Sequence, residues 1–362
     1  MRIGGALGVS VDKIFLDLTS VEAVSYPKPI RFIDLFCGIG GFRYASQYAF
    51  DKLGLEGQCV FSSDIDKYAQ ESYEANFGER PSGDITKIEA SEIPDFDILF
   101  GGFPCQAFSI CGLQKGFADN TRGTLFFDIA RIIKEKQPQA FVLENVKQLS
   151  RHNQGKTLNT ILNTLKELGY LVHWKILNAL DFGLPQKRER IYIVGFKNSI
   201  QFKFPEPLGY FKPLSEILEK EEDIPASYFL SEAMKQKRFA ALKTIPPKPS
   251  IWHENIGGNI SPLPYSCALR AGGSYNYLVV NGERRLTSRE MLRLQGFPDS
   301  FIINIPYSQA RKVAGNSVSV PVIQAIAGEM IKALNEQKTA VKNKELDLFG
   351  DYDYFGSKAS VR

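Results

Sequence analysis

Two rhythms of apolar and polar positions alternate along the first two-thirds of this chain. Short apolar runs occupy 31–36, 59–64, 97–102, 140–144, 170–177 and 190–196, with the length and composition of strands. The stretches between them carry helical spacing. Leu158, Ile161, Leu162, Leu165 and Leu168 form one amphipathic stripe, and Gly169 follows as a stop. Strands alternating with helices predict a parallel sheet covered by helices.

After residue 196 the texture changes. Prolines at 205, 207, 213, 225, 246, 247, 249, 262 and 264 punctuate short segments, and Gly257-Gly258 and Gly272-Gly273 mark turns. This predicts a smaller, loop-rich unit over 197–285. Thr287 followed by Glu290 has capping-box spacing and opens a helix through Met291-Leu292-Arg293-Leu294. A last helix, about 322–335, is expected to return to the first unit. The chain thus divides into an extension (1–29), a large unit (30–196), the loop-rich unit (197–285), a hinge and return (286–335) and a polar, aperiodic tail (336–362).

Composition adds little. The chain has 362 residues, 44% hydrophobic and 23% charged, which suits one large and one smaller globular unit. A net charge of +4 does not by itself announce nucleic acid. Cysteines 37, 59, 105, 111 and 267 form no CxxC pair, which favours a reduced, cytoplasmic compartment. Histidines 152, 173 and 253 lack metal-ligand spacing, so no metal is expected. No signal peptide is read in 1–29, and no apolar run of about 18 residues predicts a membrane span.

The chemistry lies in an ordered set of motifs. Asp34-Leu35-Phe36-Cys37-Gly38-Ile39-Gly40-Gly41 ends a strand and enters a helix, a place where open α/β sheets bind ligands. The dinucleotide fingerprint fails there, because its third glycine would fall on Arg43. Asp64, ending the second strand, can accept hydrogen bonds from ribose hydroxyls. A phosphate-free nucleoside such as S-adenosylmethionine is therefore the better reading. Further on come Gly102-Phe103-Pro104-Cys105-Gln106, Glu144-Asn145-Val146, Gln186-Lys187-Arg188-Glu189-Arg190 and Gly315-Asn316-Ser317.

In this order the motifs resemble the DNA (cytosine-5)-methyltransferases, from about Arg31 to about Asn335. Only the interval between Phe196 and Glu283 lacks shared motifs, as expected where members of the family differ in the DNA sequence they read. The resemblance implies an α/β fold: a Rossmann-like mixed sheet of the S-adenosylmethionine-dependent methyltransferases with a smaller, loop-rich target recognition domain. It implies that Phe36 and Ile65 sandwich adenine, that Asp84 binds the adenine amino group, and that Gly40, Pro104, Leu125 and Asn316 line the pocket. Gly38, Ile39, Gly41, Asp64, Ile85 and Ser317 complete the expected cofactor set. Some relatives carry Trp where Ile65 stands, so stacking there becomes aliphatic contact.

Methylating carbon 5 of cytosine requires activation, because that carbon is a poor nucleophile. A thiolate adding at carbon 6 supplies it and later leaves. Cys105, after a rigid proline at a strand end, is the candidate; Cys37, Cys59 and Cys267 read as structural and Cys111 as an incidental loop residue. Glu144, closing an apolar run, is placed to protonate or hydrogen-bond N3, and desolvation there favours its acid form. Arg188 and Arg190 alternate at period two. By the resemblance, Arg190 holds the O2 oxygen and Arg188 supports the nucleophile and the extruded nucleotide.

The target base must leave the duplex. The polar, glycine-punctuated stretch 106–123, with Gln106, Ser109 and Arg122, reads as a lid over it. Lys235, Lys237, Arg238, Lys243 and Lys248 form a candidate phosphate surface. Trp252-His253-Glu254-Asn255 and 270–276, beginning at Arg270, offer base-edge groups. The expected partners are double-stranded DNA and a separately acting cognate restriction endonuclease, with the enzyme itself a monomer. Rival readings are the same chemistry on RNA, a DNA-binding protein without activity, and a dehydrogenase.

Overall fold

The computed structural model describes residues 29–104 and 125–350, with side chains to residue 337. Cys105, Gln106, Ser109, Cys111 and Arg122, with the whole expected lid, lie outside the described residues, as do residues 1–28 and 351–362.

In chain order the first unit contains Ile30–Leu35 (β1), Gly41–Lys52 (α1), Gly57–Ser63 (β2), Lys67–Phe77 (α2), Ile98–Gly102 (β3), Leu125–Lys136 (α3), Ala140–Val146 (β4), Lys156–Glu167 (α4), Leu171–Asn178 (β5), Gln186–Lys187 (β6) and Glu189–Phe196 (β7). There follow Glu232–Ala240 (α5), Ile251–Glu254 (β8), Ile260–Leu263 (β9), Ser266–Cys267 (β10), Leu278–Val280 (β11), Arg284–Arg285 (β12), Ser288–Gln295 (α6), Tyr307–Asn316 (α7) and Val320–Gly350 (α8).

The six expected strands all form, in one sheet of order β2-β1-β3-β4-β7-β5. The sheet is mixed, and the simpler expectation of parallel strands is corrected at β7, which runs antiparallel to both neighbours. The reason is the connection. Only Ala179–Arg188 join β5 to β7, too little chain for a helical crossover, so the strand folds back as a hairpin. This reversal matters for chemistry. The parallel strands end at the edge where β7 begins, and Val146 of β4 lies opposite Arg190.

Side chains alternate between two faces along each central strand. Phe32, Phe100, Val142 and Val194 enter one core with Phe42, Ala45 and Ala49 of α1 and Ile323, Ile326 and Met330 of α8. Ile33, Leu99, Leu143 and Ile193 enter the other, with Phe126 and Ile129 of α3 and Leu158, Ile161 and Leu165 of α4. The expected leucine stripe is thus the buried face of α4, and Gly169 ends it at a positive φ of 90°. The return helix also packs as expected, as α8, but it runs on to Gly350, so the expectation of an aperiodic tail from 336 is corrected: 336–350 continue the helix. The stretch Tyr307–Gln337 includes a window apolar enough to cross a membrane, with mean hydropathy 1.3, but 72% of that window is buried inside the molecule.

Residues 197–285 hold a four-stranded antiparallel sheet of order β12-β11-β8-β9. Its core of Leu214, Ile217, Ile251, Leu278 and Val280 extends to Met291 and Leu294 of α6 and Ala314 of α7. The stretch 286–335 is therefore divided: α6 and α7 underlie the small sheet, and α8 underlies the large one. The Thr287–Glu290 capping box forms, with Glu290 also paired to buried Arg284.

Asp34 stands out in β1. It is fully buried; among the described residues its Oδ1 has no hydrogen-bond partner and its Oδ2 accepts only a long bond (3.3 Å) from the Arg43 amide at the start of α1. Burial raises its pKa from 3.8 to about 8, with Arg43 opposing. Because the folded state holds this proton and the unfolded chain releases it, stability should fall as pH rises from about 4 to 8. Asp34→Asn is expected to flatten that dependence, measured by urea denaturation across this range.

Candidate active site

Strand order reverses at β1, which connects outward to β2 on one side and is flanked by β3 on the other. Crevices at the carboxyl ends of strands around such a reversal are where open α/β sheets bind ligands. A cavity of about 480 Å³ opens there, inside the usual size range of small-molecule sites.

Its first wall is the turn after β1. Phe36 has φ 56° and Gly40 φ 89°, both left-handed. Only the glycine adopts this region without strain, so Phe36 is held in place by its surroundings. Gly40 also lacks room for a side chain, since a Cβ would lie 2.2 Å from the Phe77 ring. Asp64 staples the turn: its Oδ2 accepts the Gly38 amide and its Oδ1 the Asp66 amide, both at 2.8 Å. Burial raises its pKa, with the Asp66 and Gly38 amides opposing.

Phe36, Gly38, Gly41, Asp64, Ile65 and Asp84 all line the cavity, as do Ile85, Pro104, Leu125, Asn316 and Ser317. Two expected members do not. Ile39 is fully buried in the core beside Phe42, and Gly40 faces Phe77 and Tyr73; both shape the turn from behind. Ile65 is 77% exposed at the cavity mouth, an apolar surface suited to one face of a flat ring. These residues fit an adenosine moiety: Phe36 and Ile65 for the base, Asp84 at its edge and Asp64 for the ribose.

Deeper lie the chemical groups. Glu144 sits opposite Gly102 of β3 and Tyr192 of β7. It is buried, and desolvation raises its pKa despite opposition from Arg190 and Arg188. Arg190 Nε is 3.0 Å from Glu144 Oε1, yet among the described residues that oxygen makes no aligned hydrogen bond. The site thus holds a buried acceptor beside a cation, with hydrogen-bonding capacity left for a ligand.

Arg188 makes contacts that its expected role does not include. It is 2% exposed and donates to the carbonyls of Leu269 (3.0 Å), Gly315 (3.1 Å) and Ser317 (2.7 Å). Burial, then Arg190, lowers its pKa to about 10. It lines the cavity but acts chiefly as a clasp between the β7 edge, the loop before β11 and the α7–α8 junction. Gly315 completes the junction by close approach, for a Cβ there would lie 2.4 Å from the Ala271 nitrogen.

Asn145 and Gln186 stand in the motifs without an expected role. Asn145 is buried and donates to the Phe103 carbonyl (2.8 Å), fixing the segment that leads to Pro104. Gln186 is fully buried, donating to Leu294 O (2.8 Å) and accepting from the Leu269 amide (2.9 Å). Their polarity inside apolar surroundings was the available signal.

The expected DNA-contacting groups separate. Arg270 is exposed beside the cavity junction, its guanidinium 4.5 Å from the Tyr277 ring centre, and Lys237 is exposed on α5. Arg238, however, is buried against Glu254, while Lys235 pairs with Glu232 and Lys248 with Glu283. Trp252 is core, 1% exposed, and offers no base-edge donor.

Comparisons with known proteins agree with this geometry. The family model described as C-5 cytosine-specific DNA methylase matches residues 30–332. The type II methyltransferase M.NgoBI of Neisseria gonorrhoeae is 68% identical over 293 residues, covering 81% of this chain and 90% of that protein. M.HaeII of Haemophilus aegyptius is 62% identical over 308 residues, covering 85% and 95%. In fold, the chain is similar to the Entamoeba histolytica methyltransferase EhMeth (TM-score 0.65, 19% identity, covering 85% of this chain and 99% of that one). It is also similar to the S. pombe Dnmt2 methyltransferase (TM-score 0.64, 21% identity, covering 85% and 100%).

Proposed function

Because the chain belongs to the C-5 cytosine-specific DNA methylase family, and so transfers a methyl group to carbon 5 of cytosine in DNA, we propose how its residues share that work. When bound in the β1–β3 cavity, S-adenosylmethionine supplies the methyl group that carbon 5 accepts. Phe36 and Ile65 hold the adenine and Asp64 the ribose, with Pro104, Leu125 and Asn316 around them. Cys105, next to cavity-lining Pro104, adds its thiolate to carbon 6 of a cytosine extruded from the duplex. Glu144 protonates or hydrogen-bonds N3 as electron density arrives there, and Arg190 holds O2. Once carbon 5 carries the methyl group, its proton passes to solvent water, the carbon 5–carbon 6 double bond re-forms and the carbon 6–sulfur bond breaks to release the thiolate. Gln106, Ser109 and Arg122 contact the DNA from the segment that follows the nucleophile.

The observation that carries this reading is buried Glu144, kept toward its acid form beside Arg190 at the cavity floor. A recognition unit, 197–285, chooses the site, while 30–196 and 286–335 supply the chemistry and, through α6 and α7, the layer on which the small sheet packs. The enzyme is a cytoplasmic monomer, and a cognate restriction endonuclease acts apart from it; the type II names of its relatives support that pairing.

Grafting 197–285 onto a methyltransferase of another specificity tests the division. The hybrid is expected to methylate the site of this protein, mapped by bisulfite sequencing. An active hybrid that keeps its recipient's site would refute the recognition assignment.

A further inference from the structure

The small sheet turns one end toward the catalytic cavity. The loop entering β11 is fixed there by Arg188 and Gln186 at Leu269 and by Gly315 against Ala271. Antiparallel pairing sets His253 of β8 opposite Leu278 of β11, so the β8–β9 turn, residues 255–259, projects from that same end. The Glu254 amide donates to Tyr277 O (3.0 Å) and ties the turn to the loop.

At the tip stands Ile256, 102% exposed. The turn beneath it is ordered. The Asn255 amide donates to Asn259 O, the Asn259 amide to Asn255 Oδ1 and the Gly258 amide to Asn255 O, each at 3.0 Å. An isoleucine wholly in water adds nothing to the core, and its neighbours in the turn are asparagines and glycines. It carries no charge for a phosphate. What an apolar tip can meet in a DNA groove is an apolar base edge, such as the thymine methyl group. Beside it the loop 270–275 is equally braced: Arg311 of α7 donates to Gly273 O (2.9 Å) and Ser274 O (2.8 Å) and lies 4.2 Å from the Tyr275 ring centre.

We propose that Ile256 is a specificity-determining residue, presented by the rigid β8–β9 turn to an apolar base edge in the groove of the bound duplex. The proposal rests on the assignment of recognition to 197–285. Its side chain touches no core, so its replacement leaves folding intact.

The experiment measures kcat/KM for the full-length enzyme on a duplex containing its own site and on duplexes with single base pairs changed in and beside it. Ile256→Ala and Ile256→Asn are expected to lose roughly 5- to 100-fold on the native duplex, the discrimination of one base contact. They should lose the wild-type penalty for one altered base pair, with the KM for S-adenosylmethionine unmoved. Wild-type kcat/KM in both variants, or an equal loss on every duplex, overturns the proposal. If the graft of 197–285 transfers the site while Ile256 variants behave as wild type, only the role of Ile256 fails. A graft that keeps the recipient's site removes the underlying assignment instead.

Discussion

Cys105→Ser should abolish methyl transfer while leaving cofactor binding in place. Pro104, one residue earlier, lines the cavity, and Asn145 fixes the carbonyl of Phe103 before it. The chain is therefore held at the cavity as far as Pro104, the residue that precedes Cys105 in sequence. Serine has nearly the same size but a far less acidic and less nucleophilic hydroxyl, so the addition at carbon 6 that makes carbon 5 reactive would be lost. The measurements are methyl transfer to DNA and calorimetric titration with S-adenosylmethionine. Duplex DNA carrying 5-fluorocytosine should trap a covalent adduct with the wild-type protein and none with the variant, because fluorine cannot leave as the proton does. Near-normal turnover by Cys105→Ser would remove it from the mechanism. Cys111→Ser should be close to neutral.

Glu144→Gln should slow catalysis by about 100- to 10,000-fold, the range for losing a general acid, with a modest effect on DNA affinity. Glutamine keeps the shape and a hydrogen-bonding group beside Arg190 but has no transferable proton. The sign of the pH effect follows from burial. With its pKa raised, Glu144 keeps its acid form to higher pH than an exposed glutamate and loses it on the alkaline side. The wild-type rate is expected to fall there as the carboxyl ionises, and the variant profile should lack that limb. Weaker S-adenosylmethionine binding as the main defect would show that Glu144 serves the cofactor instead.

The large sheet is legible because its central strands β1, β3, β4 and β7 are buried on both faces and read as nearly continuous apolar runs. Strand direction is not, since apolar content is the same whichever way a strand runs; the reversal of β7 follows from a short connection. Cavity residues were found where they sit at strand ends, as Phe36, Asp64 and Glu144 do. Ile39 lies off the cavity lining because a motif names consecutive residues, whereas a tight turn sends their side chains in different directions. Arg188 could be recognised as a cation but not as a clasp, because its acceptors are carbonyls more than 80 positions away in sequence. The small unit was least readable. Arg238 and Trp252 looked available to DNA, yet a partner at Glu254 and a place in the core claim them.

The three acceptors of Arg188 are all main-chain oxygens, so at Leu269 its grip is indifferent to the side chain it holds, although Gly315 is fixed by its close approach to Ala271. Leu269 could become another residue and the bond to its carbonyl would remain, provided the backbone still passed that point. The same holds for the amide that Gln186 accepts. Reading surfaces can therefore diverge freely beyond an attachment that recognises only peptide groups. Such a joint holds the loop before β11 by its backbone alone and leaves its side chains free to vary.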